Sequence, residues 1–88
     1  MSIKTEHGYQ LKSLGECRPG ARVKIKELMG GYKMRLRLSE MGLGTGQKLI
    51  VMQNLFRGPV IVQKNGASLA LGRGHAMKII VEVIDEET

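Results

Sequence analysis

Residues that would stabilise a small fold through covalent or metal cross-links are almost missing from the sequence. It holds one cysteine, two histidines, two prolines and no tryptophan in 88 residues. One cysteine cannot form an intramolecular disulfide, and no group of Cys and His residues has zinc-finger spacing. The fold must therefore depend on a packed aliphatic core, for which the apolar fraction of 42% is sufficient.

Long hydrophobic runs are missing as well. The longest, among them Leu49–Met52 and Ile79–Val81, are far shorter than the roughly 20 residues that a membrane-spanning helix needs. We therefore expect one soluble domain that does not insert directly into a membrane. The lone thiol and the lack of a signal peptide predict a cytoplasmic location.

The formal net charge of +6 favours acidic partners such as nucleic acid, anionic lipid or an acidic protein face. The basic residues are scattered, and they are densest between Arg18 and Arg37. The C-terminus reverses the sign, so residues 85–88 are predicted to be an acidic tail. Residues 1–9 are predicted to be a loose leader, which leaves residues 10–84 as the folded domain.

Alternating apolar positions and turn residues predict a small β fold. Five segments are predicted strands: Arg22–Leu28, Lys48–Gln53, Pro59–Lys64, Ala67–Leu71 and Met77–Ile84. The Asn65-Gly66 pair is typical of a type I′ hairpin turn, and Gln10–Gly15 is predicted to form one short helical turn. Closure of such strands predicts a mainly β fold, a five-stranded SH3-like barrel with a short helix inserted between the first and second strands.

The inserted helix is predicted over Tyr32–Met41, where the hydrophobic period changes. Met34, Leu38 and Met41 fall on one face at helical spacing. Gly42 stands where a left-handed C-cap is expected, and Leu43 would supply the apolar contact beyond it.

The chain offers no group of residues that suits catalysis. The four glutamates of the folded part lie in four different predicted elements, and the serines lack a nucleophile-elbow motif. We therefore predict no catalytic residue and no enzymatic activity.

Cys17 and His75 are the candidate ligands for a divalent metal such as ferrous iron. A tight metal site needs three or four protein ligands, which is more than these two residues supply. The favoured interpretation is that both are ordinary turn residues, and no cofactor is predicted.

Two short stretches are candidate contact sites for a protein partner. The first is the helix face that carries Arg35 and Arg37. The second is the loop of Leu55, Phe56 and Arg57, whose apolar and arginine residues are typical of interface anchors.

Nucleic-acid binding is the alternative for a small basic barrel. Single-strand binders stack bases on aromatic side chains, and this chain has only Tyr9, Tyr32 and Phe56, spread along its length. We therefore favour a protein partner over a nucleic acid.

The block Leu36–Gly46 (LRLSEMGLGTG) resembles the central signature of the FeoA family, the small cytosolic partner of the bacterial ferrous iron transporter FeoB. The rest of the chain follows the order of that family, with Pro19-Gly20 before the first strand and Gly58-Pro59 after the second. The resemblance covers roughly residues 10–84.

The resemblance implies an SH3-like barrel that assists ferrous iron uptake. The implied partner is the cytosolic GTP-binding domain of FeoB, whose transport the chain would modulate, and binding would recruit it to the inner face of the plasma membrane. A similar domain occurs in iron-dependent repressors, so an iron-sensing module is a further alternative. The resemblance supplies no ligand set and no partner-binding residues.

Overall fold

The computed structural model describes residues 3–4, 10–55 and 57–86. One antiparallel sheet contains seven strands: β1 (Ile3–Lys4), β2 (Gln10–Ser13), β3 (Ala21–Leu28), β4 (Lys48–Asn54), β5 (Val60–Lys64), β6 (Ala67–Leu71) and β7 (Ile79–Glu86). The strands are ordered β1-β2-β7-β3-β4-β5-β6 across the sheet. Helix α1 (Tyr32–Glu40) joins β3 to β4, the short helix α2 (Arg73–Ala76) joins β6 to β7, and a single 3-10 turn (Leu14–Glu16) follows β2.

The sheet curls around one hydrophobic core. The core is built from buried aliphatic side chains of β3 to β7, together with five residues of the connections between strands: Leu14, Cys17, Leu38, Leu43 and Ala76. Within the described residues β6 pairs only with β5, so the barrel stays open along the outer edge of β6. The predicted fold class is confirmed, because β3 to β7 are the five predicted strands and α1 lies between the first two of them.

Strand β3 shows how the alternation of residues produces the barrel. Ala21, Val23 and Ile25 point into the core and are fully buried, whereas Arg22 and Lys26 are exposed. The register of β3 with β7 shifts at two places, and such irregularities bend a strand and increase its twist. Bending lets one sheet enclose the core from several sides.

Two predicted turn structures are confirmed. Asn65 and Gly66 have φ angles of 51° and 84°, which form the predicted type I′ turn between β5 and β6. Gly42 follows α1 with a φ of 80°, and the next residue, Leu43, is fully buried. Helix α1 therefore ends on a left-handed glycine with an apolar contact beyond it, as predicted.

The prediction of a helical turn over Gln10–Gly15 was wrong for its first four residues. Gln10–Ser13 form β2, which pairs with β7 from Gln10↔Val83 to Ser13↔Ile80. The backbone groups on that side of β7 need partners, and β2 supplies them, whereas a local turn could not. Only Leu14–Glu16 are helical.

The structure also differs from the sequence-based boundaries at both ends. Ile3–Lys4, within the predicted leader, form β1 and pair with Gln10 and Leu11. Strand β7 continues through Asp85 and Glu86, two residues assigned to the acidic tail. Asp85 lies opposite Arg22 of β3, a favourable pairing of opposite charges.

Two methionines are more exposed than their spacing predicted. Met41 comes after the last residue of α1 and is 37% exposed, so only Met34 and Leu38 of the predicted face pack on the core. Met77 is not part of β7, because its amide donates to the Arg73 carbonyl and completes the turn of α2. Strand β7 therefore begins at Ile79, two residues later than predicted.

Candidate functional site

Helix α1 presents a second apolar face to solvent. Tyr32 is 70% exposed and Leu36 is 46% exposed, whereas Leu38 is fully buried. Successive residues turn by about 100° around a helix, so Tyr32 and Leu36 lie on one side and Met34 and Leu38 on the other. The helix is therefore anchored by one face and displays a tyrosine and a leucine on the opposite one.

Arginines border this exposed pair. Arg35 and Arg37 are both exposed, and the helical period places them on opposite sides of Leu36. We call Tyr32, Arg35, Leu36 and Arg37 together the α1 surface. Its two arginines were predicted contact residues, whereas Tyr32 and Leu36 were not, although their spacing of four residues was a signal of a shared face.

The loop between β4 and β5 is the second predicted contact site. Leu55 is 57% exposed and Arg57 is exposed, while Phe56 lies outside the described residues. The described part of the loop therefore combines an apolar and a cationic side chain on the surface.

The backbone at the base of this loop is held by two side chains. The Arg73 guanidinium donates through Nη1 to the carbonyl of Gly15 at 3.1 Å, and through Nη2 to Asn54 Oδ1 and to the carbonyl of Leu55. Asn54 Nδ2 donates to the carbonyls of Gly15 and Cys17 at 2.9 and 2.7 Å. We call these contacts the Arg73–Asn54 network, and it joins α2, the end of β4 and the 3-10 turn.

A recess of about 420 Å³ lies beside the network, and Arg18, Cys17 and Met77 are among the residues that line it. Met77 Sδ accepts a hydrogen bond from Ser13 Oγ at 3.4 Å. The sulfur atom lies so close to Gly15 that a side chain at that position would overlap it. The 3-10 turn is therefore packed tightly against α2.

The two metal-ligand candidates lie in different settings. Cys17 is buried, with Sγ 3.5 Å from the Ser13 carbonyl, and His75 is exposed in α2. In the part of the chain that the structure describes, no group of three or more His, Cys, Asp or Glu residues could hold a metal ion. No helix among residues 3–4, 10–55 and 57–86 has the length and hydropathy to cross a membrane.

Comparison with known sequences gives two matches. The model of the FeoA domain family matches residues 12–83. A protein of Methanocaldococcus jannaschii with the provisional name Fe(2+) transport protein A is 42% identical over 69 residues, which are 78% of this chain and 83% of that protein.

Solved structures share the fold. A crystal structure of the iron uptake regulatory protein FeoA matches with a TM-score of 0.78 and 30% identity, over 83% of this chain and 99% of that chain. A manganese-dependent transcriptional repressor matches with a TM-score of 0.77 and 22% identity, over 93% of this chain and 49% of that chain. At that identity the second likeness shows the fold alone.

Proposed function

The chain belongs to the FeoA family, and from this premise we propose that it is an accessory protein of ferrous iron uptake. It binds the cytosolic GTP-binding domain of the FeoB transporter and modulates transport. The names of the similar proteins support the iron-uptake role, since one is called an Fe(2+) transport protein and another an iron uptake regulatory protein.

The observation that carries the binding role is the composition of the α1 surface. Tyrosine and arginine are enriched at the centres of protein interfaces, and here an exposed Tyr32 and Leu36 lie between Arg35 and Arg37. The net charge of +6 makes an acidic face the complementary partner, because opposite charges steer association and suppress wrong partners. Burial of Tyr32 and Leu36 would supply affinity, and the arginines would supply orientation.

Binding to the transporter also sets the proposed location. The chain acts in the cytoplasm and is recruited to the inner face of the membrane through FeoB. Ferrous iron is cargo of the transporter in this proposal, so Cys17 and His75 are given no ligand role. Calorimetric titration of the chain with ferrous iron tests whether it binds the metal. Stoichiometric heat release would make Cys17 and His75 candidate ligands again.

The proposed partner is tested by calorimetry with the soluble GTP-binding domain of FeoB. We expect saturable binding by the wild type at low and at physiological salt. The double variant Tyr32→Ala/Leu36→Ala is expected to bind about tenfold more weakly, because truncated interface anchors cost on the order of 1–2 kcal/mol or more.

The matched control is Met52→Ala. Met52 is 48% exposed on β4, so this variant removes a comparable apolar side chain from another element. It should bind like the wild type. No binding by the wild type at low salt would overturn the proposed function, and equal losses in both variants would exclude the α1 surface.

Nucleic-acid binding is a distinct outcome of the same preparation. A nucleic-acid-binding barrel would retain RNA or DNA during purification and release it as salt rises. Purification free of nucleic acid, together with binding to the transporter domain, is the expected result.

A further inference from the structure

The β4–β5 loop begins with a residue, Leu55, whose backbone is held while its side chain is exposed. Leu55 is 57% exposed, although its carbonyl accepts a hydrogen bond from Arg73 Nη2. An exposed apolar side chain at the tip of an unrestrained loop would lose conformational freedom when a partner binds it, and this loss weakens binding. Here the restraint already exists in the unbound protein.

The hydrogen bonds of Arg73 indicate that its main role is to hold backbone and side-chain oxygens in fixed positions. The acceptors of its guanidinium are the neutral oxygens of Gly15, Asn54 and Leu55. The Nε atom is buried and has no hydrogen-bond partner in the described part of the chain. A planar guanidinium can hold several acceptors in fixed directions at once, which an ammonium group does not do.

Asn54 extends this restraint to the 3-10 turn. Its amide nitrogen donates to the carbonyls of Gly15 and Cys17, while its amide oxygen accepts from Arg73 at 2.5 Å. Both polar atoms of the Asn54 side chain are therefore hydrogen-bonded, which fixes the residue immediately before Leu55. Leu55, α2 and the 3-10 turn are thus held as one unit.

We infer that Arg73 and Asn54 are positioning residues for partner binding, which fix the backbone at Leu55 so that its exposed side chain meets an acidic partner face in one prearranged geometry. The exposed Arg57 supplies the complementary charge. This inference rests on the proposed function, in which that face belongs to the cytosolic domain of the transporter. The loop is then a second contact site beside the α1 surface.

The test compares three variants of the full chain, Arg73→Lys, Arg73→Gln and Arg18→Gln. Arg18 is exposed and lines the same recess, so Arg18→Gln is matched to Arg73→Gln in the charge it removes. Arg73→Lys keeps the charge and loses the planar guanidinium. Circular dichroism and urea unfolding identify any variant that fails to fold. If Arg73→Gln fails to fold, Arg73→Lys remains as the test variant, because it keeps the charge and most of the side-chain length.

The first measurement is backbone nitrogen NMR relaxation in the unbound protein. The order parameter of the Leu55 amide should fall in both Arg73 variants and stay as in the wild type in Arg18→Gln. An unchanged order parameter in the Arg73 variants would overturn the inference whatever the binding result, because Leu55 would then be fixed without Arg73.

The second measurement is affinity for the soluble GTP-binding domain of FeoB. Both Arg73 variants should bind about fivefold more weakly, which is the size expected from ordering one loop on binding. Leu55→Ala should cost less affinity in the Arg73→Gln background than in the wild type. The reason is that Arg73 contributes to binding by fixing Leu55, so its contribution is lost when the leucine side chain is removed.

Additive losses, or an equal loss in Arg18→Gln, would overturn the positioning role. No binding by the wild type would instead overturn the proposed function, and the relaxation data would still show whether Arg73 fixes Leu55.

Discussion

Just beyond the end of α1 the amide nitrogen of Leu43 donates to the carbonyl oxygen of Leu38, in the last turn of the helix, at 2.8 Å. The amide of Gly42 donates to the Ser39 carbonyl at 2.9 Å, so the helix ends in a Schellman motif. Leu38 and Leu43 are both fully buried in the core. The C-terminal end of α1 is therefore fixed by hydrogen bonds and by packing, while the face with Tyr32 stays exposed.

Gly42→Ala should destabilise the protein by about 1 kcal/mol, because an L side chain is disfavoured at its φ of 80°. The added Cβ would also lie 3.1 Å from Lys64 Nζ, which must shift slightly. Gly44→Ala is the control, since Gly44 has open space around it. Urea unfolding measures both variants, and equal effects would show that the left-handed cap does not matter.

Leu38→Ala should lower the free energy of unfolding by about 2–5 kcal/mol, the usual cost of a cavity at a fully buried leucine. Leu36→Ala on the same helix should change it by less than about 0.5 kcal/mol, because Leu36 is 46% exposed. Urea unfolding of both variants tests this difference, provided that the free energy of unfolding falls with urea concentration at the same slope in each. A large loss in Leu36→Ala would mean that α1 packs through its outward face.

Charge reversal on the α1 surface should weaken binding to the transporter domain. The double variant Arg35→Glu/Arg37→Glu replaces attraction to an acidic face by repulsion, so we expect a slower association rate and a smaller dependence on salt. Lys48→Glu/Lys78→Glu makes the same change in net charge at two exposed positions outside α1. Stopped-flow kinetics at several salt concentrations compares the two, and equal rate losses would contradict a localised α1 contact.

Most of the fold was predictable because its signals are local. Strands β3 to β7 follow from alternating burial and from turns such as Asn65-Gly66, and the end of α1 follows from Gly42. The resemblance of the Leu36–Gly46 block to the FeoA family is confirmed by the family match over residues 12–83. Strand β2 was missed because its short sequence, QLKS, becomes a strand only when β7 lies beside it.

The Arg73–Asn54 network could not be predicted from the sequence. Arg73 contacts Gly15 across 58 positions of sequence, and Asn54 contacts the same carbonyl across 39. A hydrogen bond from a side chain to a distant backbone carbonyl leaves no residue type to recognise at the accepting end, since every residue has a carbonyl. The sequence therefore carries no signal that sets Arg73 apart from the other arginines.

Asn54→Ala should lower the free energy of unfolding by about 1–3 kcal/mol, because the Gly15 and Cys17 carbonyls lose a donor in a partly buried place. Gln53→Ala, at the exposed preceding position of β4, should stay within about 0.5 kcal/mol of the wild type. Urea unfolding measures both.

Combining Asn54→Ala with Arg73→Gln should cost less than the sum of the single effects, since Arg73 Nη2 donates to Asn54 Oδ1 and the two side chains share the Gly15 carbonyl. A strictly additive double variant would show that the two side chains hold the loop independently. Coupling would show that Leu55, α2 and the 3-10 turn are fixed as one unit.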